Sequence, residues 1–332
     1  MSELYPLKFD PILKEKIWGG NSLEKDYGKN PGKLGNIGES WEISAVSGDL
    51  SVVSNGFLAG NNIEEVIEVY MGDLTGEGIY EKFGNEFPLL IKLIEARDDL
   101  SVQVHPGNDL ARKRHGAYGK TEMWYILQSN NGARIFAGFS KPVNRTEFLS
   151  ALEENNIASL LNEESALPGD VFFTPAGTVH AIGSGIVLAE IQQTSDITYR
   201  ISDWGRLDSN GKSRELHNDL AIDAIDFKSS GNYRIRKNPG KNEPTEIVSC
   251  EFFNASLIDF NEVVARDYNT FDSFVIYLCV EGAFIIRWEG KSERVTKGET
   301  VLIPALITDV TLIPQPEARI LEIYIDNYRT DQ

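Results

Sequence analysis

The chain has 332 residues and a formal net charge of −18 at pH 7, from 32 basic and 50 acidic side chains. That sign argues against a nucleic-acid partner, since no basic field is present to displace the counterions of a phosphate backbone. An anionic small ligand would need a local cationic pocket set against it. The length allows a large core and favours two domains over one.

Aromatic and β-branched residues, punctuated throughout by Gly and Pro, point to a mainly β protein. No apolar run approaches the ~20 residues of a membrane span, and the Met1-Ser-Glu-Leu-Tyr start has no basic, apolar leader. Cys250 and Cys279 lack metal-type spacing and read as buried thiols in a reducing cytoplasm.

Residues 5 to 20 read as an extended segment that turns at Lys16-Ile-Trp-Gly-Gly, and residues 35 to 44 as a turn entering a strand. Asn62 opens a short helix, with Ile63, Val66, Ile67 and Tyr70 at helical spacing and Glu65 placed for a capping box. Residues 87 to 95 form a buried strand interrupted by Lys92. That lysine either snorkels to water from a strand edge or faces a pocket.

In Leu100-Ser-Val-Gln-Val-His-Pro, Leu100, Val102 and Val104 alternate with Ser101, Gln103 and His105. A period of two is a strand, and it turns Gln103 and His105 the same way. The loop that follows carries Arg112-Lys-Arg-His115, expected as a solvated face, with His115 and His217 both exposed. Glu122 opens the next strand-like run, two residues after Lys120. Residues 146 to 161 read as a helix capped by Thr146.

Downstream, Gly169-x₅-Pro175-x-Gly177-x₂-His180 ends on a second histidine. Residues 186 to 193 form a strand, 196 to 206 a polar-rich extended segment, and 237 to 244 a linker. His105, Glu122, His180 and the Gln103 amide make a mixed N/O donor set. Such a set suits Zn²⁺ or a harder divalent ion in a catalytic rather than a structural site.

A weak repeat is present. Gly298-Glu-Thr-Val-Leu-Ile-Pro-Ala305 mirrors Gly169-Asp-Val-Phe-Phe-Thr-Pro-Ala176, and Phe274-Val-Ile-Tyr-Leu mirrors the run from Met123, aligning Leu278 with Leu127. The repeat predicts two small β-barrels, the first carrying helical insertions. The first unit is expected over residues 1–236 and the second over 245–332. The second has no histidine and cannot repeat the metal site.

The Gly-x₅-Pro-x-Gly-x₂-His piece resembles the second motif of the cupin superfamily, a double-stranded β-helix or jelly-roll barrel with a metal in its mouth. Gln103-x-His105 with a later glutamate resembles a modified first motif. Ser-Val-Gln-Val-His-Pro-Gly-Asn-Asp, Gly-Lys-Thr-Glu-Met-Trp-Tyr, Pro-Ala-Gly-Thr-Val-His-Ala-Ile and Gln192-Gln-Thr-Ser-Asp-Ile-Thr-Tyr-Arg-Ile-Ser-Asp-Trp-Gly-Arg together resemble the type I mannose-6-phosphate isomerase family in its short bacterial form.

That resemblance implies one Zn²⁺ held by Gln103, His105, Glu122 and His180, with Arg200 as the catalytic arginine and Lys120 in the substrate pocket. It implies an enzyme that interconverts mannose 6-phosphate and fructose 6-phosphate; a small-molecule sugar-phosphate partner and a monomer or homodimer are expected. Such a reaction moves a proton between C1 and C2 through a cis-enediol, so negative charge develops on adjacent oxygens. A divalent metal can polarise those oxygens, an acid/base group such as Lys120 can shuttle the proton, and Arg200 can fork onto the charge.

Lys92, Glu190, Asp196 and Trp18 are the further substrate-binding candidates. Glu190 and Asp196 are pocket carboxylates or ordinary strand-end polar groups, and Trp18 and Trp41 line the pocket or pack in the core. Two other classes compete. An Fe²⁺ cupin oxygenase would prefer a His-x-His pair, and a non-catalytic sugar-phosphate sensor would keep the fold without turnover.

Overall fold

The computed structural model describes residues 4–207, 211–228 and 231–326. The expected outer bounds at residues 1 and 332 lie outside the described residues. Within them the chain forms two antiparallel β-barrels, the mainly β architecture expected, with short helices at their edges.

The first barrel closes a seven-stranded sheet over a five-stranded one. In the larger sheet Glu122–Ser129 lies between Val171–Thr174 and Ile186–Gln193, and Leu89–Ala96 follows. The smaller sheet places His180–Ile182 beside Val102–Val104, and Tyr199–Ser202 at its edge. Both faces of the larger sheet are buried. Trp124, Ile126, Phe172, Leu188 and Ile94 point into the barrel. Leu89, Ile91, Met123, Tyr125, Ala189 and Ile191 point outward onto Phe253, Phe274, Ile276 and Leu321 of the second barrel. This is why Leu89–Ala96 and Ile186–Gln193 are buried at every residue, as strands covered on two sides must be.

The second barrel is built on the long Val275–Trp288 and Asp309–Tyr324 strands around a core of Phe260, Tyr277, Phe284 and Ile320. Leu7–Asp10 pairs with Thr300–Ile303, so the chain's first described strand belongs to this sheet. The repeat is visible in the ladders. Val171–Thr174 pairs with Glu122–Ser129 as Thr300–Ile303 pairs with Val275–Trp288, but Val171 faces Tyr125 where Thr300 faces Leu278. Leu278 therefore corresponds to Tyr125, two residues from the expected Leu127. Among the described residues no helix is long and apolar enough to cross a membrane, and Cys250 and Cys279 are not joined.

Several local expectations hold and others change. Asn62 caps Ile63–Tyr70 with Glu65 completing the capping box. The basic run lies not on a loop but on the helix Asn108–His115, which ends at the left-handed Gly116. His115 is exposed, yet its Nε2 lies 2.7 Å from the Tyr199 hydroxyl. Gly19 and Gly20 continue the strand Ile12–Gly20 rather than turn it. A Cβ on Gly20 would strike the Glu95 carboxylate. That buried carboxylate accepts the backbone N–H groups of Asn21, Ser22 and Leu23 and so caps the next helix.

The helix expected over 146 to 161 spans Arg145–Glu153, and Asn144 rather than Thr146 caps it. The Asn144 side chain accepts from Glu147 N at 3.0 Å, and Glu147 returns the bond at 2.9 Å. Asn144→Ala should therefore cost about 1 kcal/mol and Thr146→Ala, an exposed position, less than about 0.5 kcal/mol. Urea denaturation midpoints check the pair, and equal losses would return the cap to Thr146.

Candidate metal centre and cavity

Four short stretches converge at one end of the first barrel. Val102–Val104 turns its valines outward under the helices and Gln103 inward. Leu100 precedes this strand and packs inside the barrel, so the expected alternation starts one pair later. His180 opens its strand directly opposite Gln103. Glu122 opens its own strand on the facing sheet, and Lys120, just outside that strand, still reaches the same point.

His105, Glu122 and His180 are buried, and their ligand atoms lie within 4.8 Å of one another. Each imidazole is oriented from behind. His105 Nδ1 is 2.8 Å from the Ile197 carbonyl and His180 Nδ1 is 2.8 Å from the Thr178 carbonyl. A carbonyl only accepts, so both protons sit on Nδ1 and both Nε2 lone pairs face Glu122, at 3.5 and 3.3 Å. Among the described residues Glu122 Oε1 is buried with no hydrogen-bond partner.

Two neutral imidazoles and an orphaned carboxylate oxygen are a donor set that a divalent cation satisfies. Cationic Lys120 already converges on it, 3.0 Å from His105 Nε2 and in contact with Glu122. Gln103 reaches the same point with its amide nitrogen, 3.2 Å from His180 Nε2. Half a turn of that amide would offer its oxygen instead.

Burial and the Lys120 charge push His180 down to about 4, and burial with Lys120 holds His105 well below its ordinary range. Burial and the neighbouring Glu190 push Glu122 up to about 7, against the pull of Lys120. Burial would raise Glu190 too, but Lys120 and Lys92 outweigh it and hold that carboxyl at about 2. Glu190 bonds Lys92 at 3.0 Å and the Trp124 indole at 2.9 Å.

Beside this centre opens a cavity of about 310 Å³. Trp18, Lys92, Lys120, Glu190, Asp196 and Arg200 all line it, so the structure brings every expected substrate residue to one place. Lys92 faces the pocket, buried, and does not snorkel. Asp196 is exposed at the rim. Lys16, Glu39, Ser101, Thr198 and Arg214 line the cavity as well and were not anticipated. Strand parity carried the signal for three of them: Lys16 with Trp18, Glu39 with Trp41, Ser101 with Gln103. Nothing local marked Arg214, which a loop delivers.

A donor set of this kind in the mouth of a double-stranded β-barrel defines a cupin-type metal centre. Residues 6–137 match the model of the phosphomannose isomerase type I catalytic domain, and residues 243–322 match that of the mannose-6-phosphate isomerase cupin domain. The chain is 34% identical over 308 residues to a mannose-6-phosphate isomerase of Streptococcus mutans, covering 91% of this chain and 93% of that one. It is 41% identical over 229 residues to one of Bacillus subtilis, covering 68% and 69%. The crystal structure of the mannose 6-phosphate isomerase from Bacillus subtilis matches with a TM-score of 0.85 at 32% identity, covering 97% of this chain and 99% of that one. The chain belongs to the type I mannose-6-phosphate isomerase family, a family of metal-dependent enzymes.

The Glu122 shift sets the pH dependence of metal binding. A carboxyl raised to about 7 keeps its proton below that pH, and an entering cation must displace it. The imidazoles are already neutral and release nothing. Calorimetric Zn²⁺ titration in buffers of different ionisation enthalpy should therefore show about one proton released near pH 6 and almost none near pH 8. Glu122→Gln should lose this dependence and bind at least about tenfold more weakly. Release that stays flat between the two pH values contradicts the assignment.

Proposed function

We infer that this chain is an aldose–ketose isomerase that interconverts mannose 6-phosphate and fructose 6-phosphate through a cis-enediol at the His105–Glu122–His180 centre. The observation that carries the reading is the placing of that centre beside a cavity whose Lys16, Lys92, Lys120, Arg200 and Arg214 outnumber its Glu39, Glu190 and Asp196. A locally cationic cavity in an acidic protein suits a small anionic substrate.

The reaction takes the proton from C2, returns one to C1, and moves the hydroxyl proton from one oxygen to the other, so no redox partner is needed. Lys120 is the acid/base group we favour, since its Nζ lies between the donor set and Glu190, 3.8 Å from the latter. Arg200 stabilises the enediolate. It sits opposite Gln103 in the strand register and stays charged throughout. Lys92, Glu190, Asp196 and Trp18 hold the sugar. Trp18 also forms part of the cavity wall and is buried.

Zinc is the metal we propose, one per chain, with Gln103 joining the two histidines and Glu122 as ligand. It would supply Lewis acidity toward the paired enediol oxygens. The unit over 1–236 does the chemistry, and the unit over 245–332 supports it without a metal, having Val275 where the repeat would place Glu122. The unjoined thiols support a cytoplasmic home, with the enzyme working as a monomer or homodimer.

Coupled assay of mannose 6-phosphate conversion tests the reading. Chelator-stripped protein should be inactive and recover with Zn²⁺. Arg200→Ala should retain its metal and lose at least about 100-fold in kcat. Wild-type turnover in that variant removes Arg200 from the mechanism, and inactivity of the zinc-loaded wild type removes the isomerase.

A further inference from the structure

Each lysine lining the cavity is matched by a carboxylate: Lys16 by Glu39 at 3.2 Å, Lys92 by Glu190 at 3.0 Å, and Lys120 by Glu122. The arginine end of the cavity is not balanced in this way. There Arg200, Arg206 and Arg214 crowd around a single buried carboxylate, Asp203. Arg214 grips it with two bonds, Nε to Oδ2 at 2.8 Å and Nη2 to Oδ1. Arg206 Nη2 adds another to Oδ1 at 2.5 Å.

Arg200 is held by the Glu215 carbonyl at 2.8 Å. Its Nε, and that of Arg206, are buried with no hydrogen-bond partner among the described residues. Among the described residues, three guanidiniums against Asp203 and the exposed Glu215 still leave positive charge over. Burial and then the neighbouring Arg214 press Arg200 below its ordinary range, against the pull of Asp203 and Glu215. A phosphomonoester brings about −1.5 to −2 charges and three acceptor oxygens at neutral pH.

The geometry fits as well. Arg200 pairs with Gln103 and Ser202 with Val102, so Asp203 lies past the metal-ligand end of that strand, toward Leu100. The offset is about two residues, roughly 7 Å. The Trp204 indole fixes this end by donating to the Leu100 carbonyl at 2.6 Å. Leu100, Ser101 and Arg214 line the cavity there. An open-chain hexose phosphate with C1 and C2 at the metal centre and its far end turned this way would bring its 6-phosphate to Arg214.

We propose that Arg214, pinned by Asp203 and backed by Arg206, grips the 6-phosphate of the substrate, with Asp203 as the positioning residue. The proposal rests on the isomerase reading for the identity of the sugar. Its test separates the two, using metal-loaded full-length wild type, Arg214→Gln, Arg214→Lys and Asp203→Asn. Two quantities are read: kcat and KM for mannose 6-phosphate and for mannose, and binding of inorganic phosphate by calorimetry.

Arg214→Gln should lose about 30-fold in kcat/KM for mannose 6-phosphate, mostly through KM, as expected for a lost charged contact. Preference for mannose 6-phosphate over mannose should shrink by the same factor, and phosphate binding should weaken in parallel. Arg214→Lys should recover part of each, and Asp203→Asn should raise KM while sparing the near-UV signature of the fold. Phosphate binding that depends on Arg214 in a protein without turnover supports the clamp while rejecting the isomerase. Turnover with wild-type KM and phosphate affinity in Arg214→Gln overturns the clamp and leaves the isomerase standing.

Discussion

The structure depends on one cross-strand row of buried charge. Glu190 faces Lys92 on one neighbouring strand and Trp124 on the other, and its carboxylate bonds both side chains. Glu122, opposite Gln192, turns the same way two residues along its strand. This row fixes the register of three central strands, because side chains alternate between faces. A slip of one residue would turn Lys92, Glu190 and Glu122 onto the apolar face that meets the second barrel. Removing one partner of such a pair leaves the other charged and dry, which typically costs about 3–5 kcal/mol. The same interactions that align the sheet therefore present the carboxylate that could hold a metal.

The second barrel keeps this device and drops the metal. Glu322 faces Tyr277 in the register that places Glu190 opposite Trp124, and Arg266 grips Glu322 at 2.8 and 3.0 Å as Lys92 grips Glu190. The Tyr268 hydroxyl completes the set at 2.5 Å. Val275 stands where Glu122 would fall, and residues 245–332 contain no histidine. A buried carboxylate paired with one cation is thus a property of both barrels. The first becomes a metal centre through the imidazoles and carboxylate added around that pair. Outward, its larger sheet packs on the second barrel, where Leu89, Ile91, Met123 and Ile191 share one core with Phe253, Phe274, Ile276 and Leu321.

Much of this was legible in the sequence because it depends on period and spacing. Alternation around Gln103 and His105, the Pro-x-Gly-x₂-His ending, and the doubled Gly-Asp/Glu run each encode a strand and its face. Glu190, left open between a pocket carboxylate and a strand-end polar group, lines the cavity. Delivery by tertiary contact was not legible. The Asn108–His115 helix has a mostly charged sequence and one buried residue, Ala111, so no apolar stripe announces it. The Asn144 cap competed with a nearby threonine, also a common though weaker N-cap residue. Gly19 and Gly20 looked like turn residues, but their lack of a Cβ serves close backbone approach and the Glu95 cap. Arg214 reaches the cavity through a loop partner, Asp203, that no local pattern links to it.

The acidity of the whole chain bears on how the cavity must be built. A net charge of −18 repels an anionic substrate at a distance, yet at physiological salt that field decays over about 8 Å. Attraction has to come from groups the substrate touches. Lysines alone would not provide it, because each one lining the cavity is matched by its own carboxylate. Arginine differs in holding its charge under desolvation and in presenting a fork that can bond a carboxylate and still leave donors free. Arg200 and Arg214 sit on that division: one is tied to a backbone carbonyl and the other to Asp203, and both line the cavity. Uncompensated charge is costly to bury, and it sits at the cavity end where the substrate's own charge would arrive.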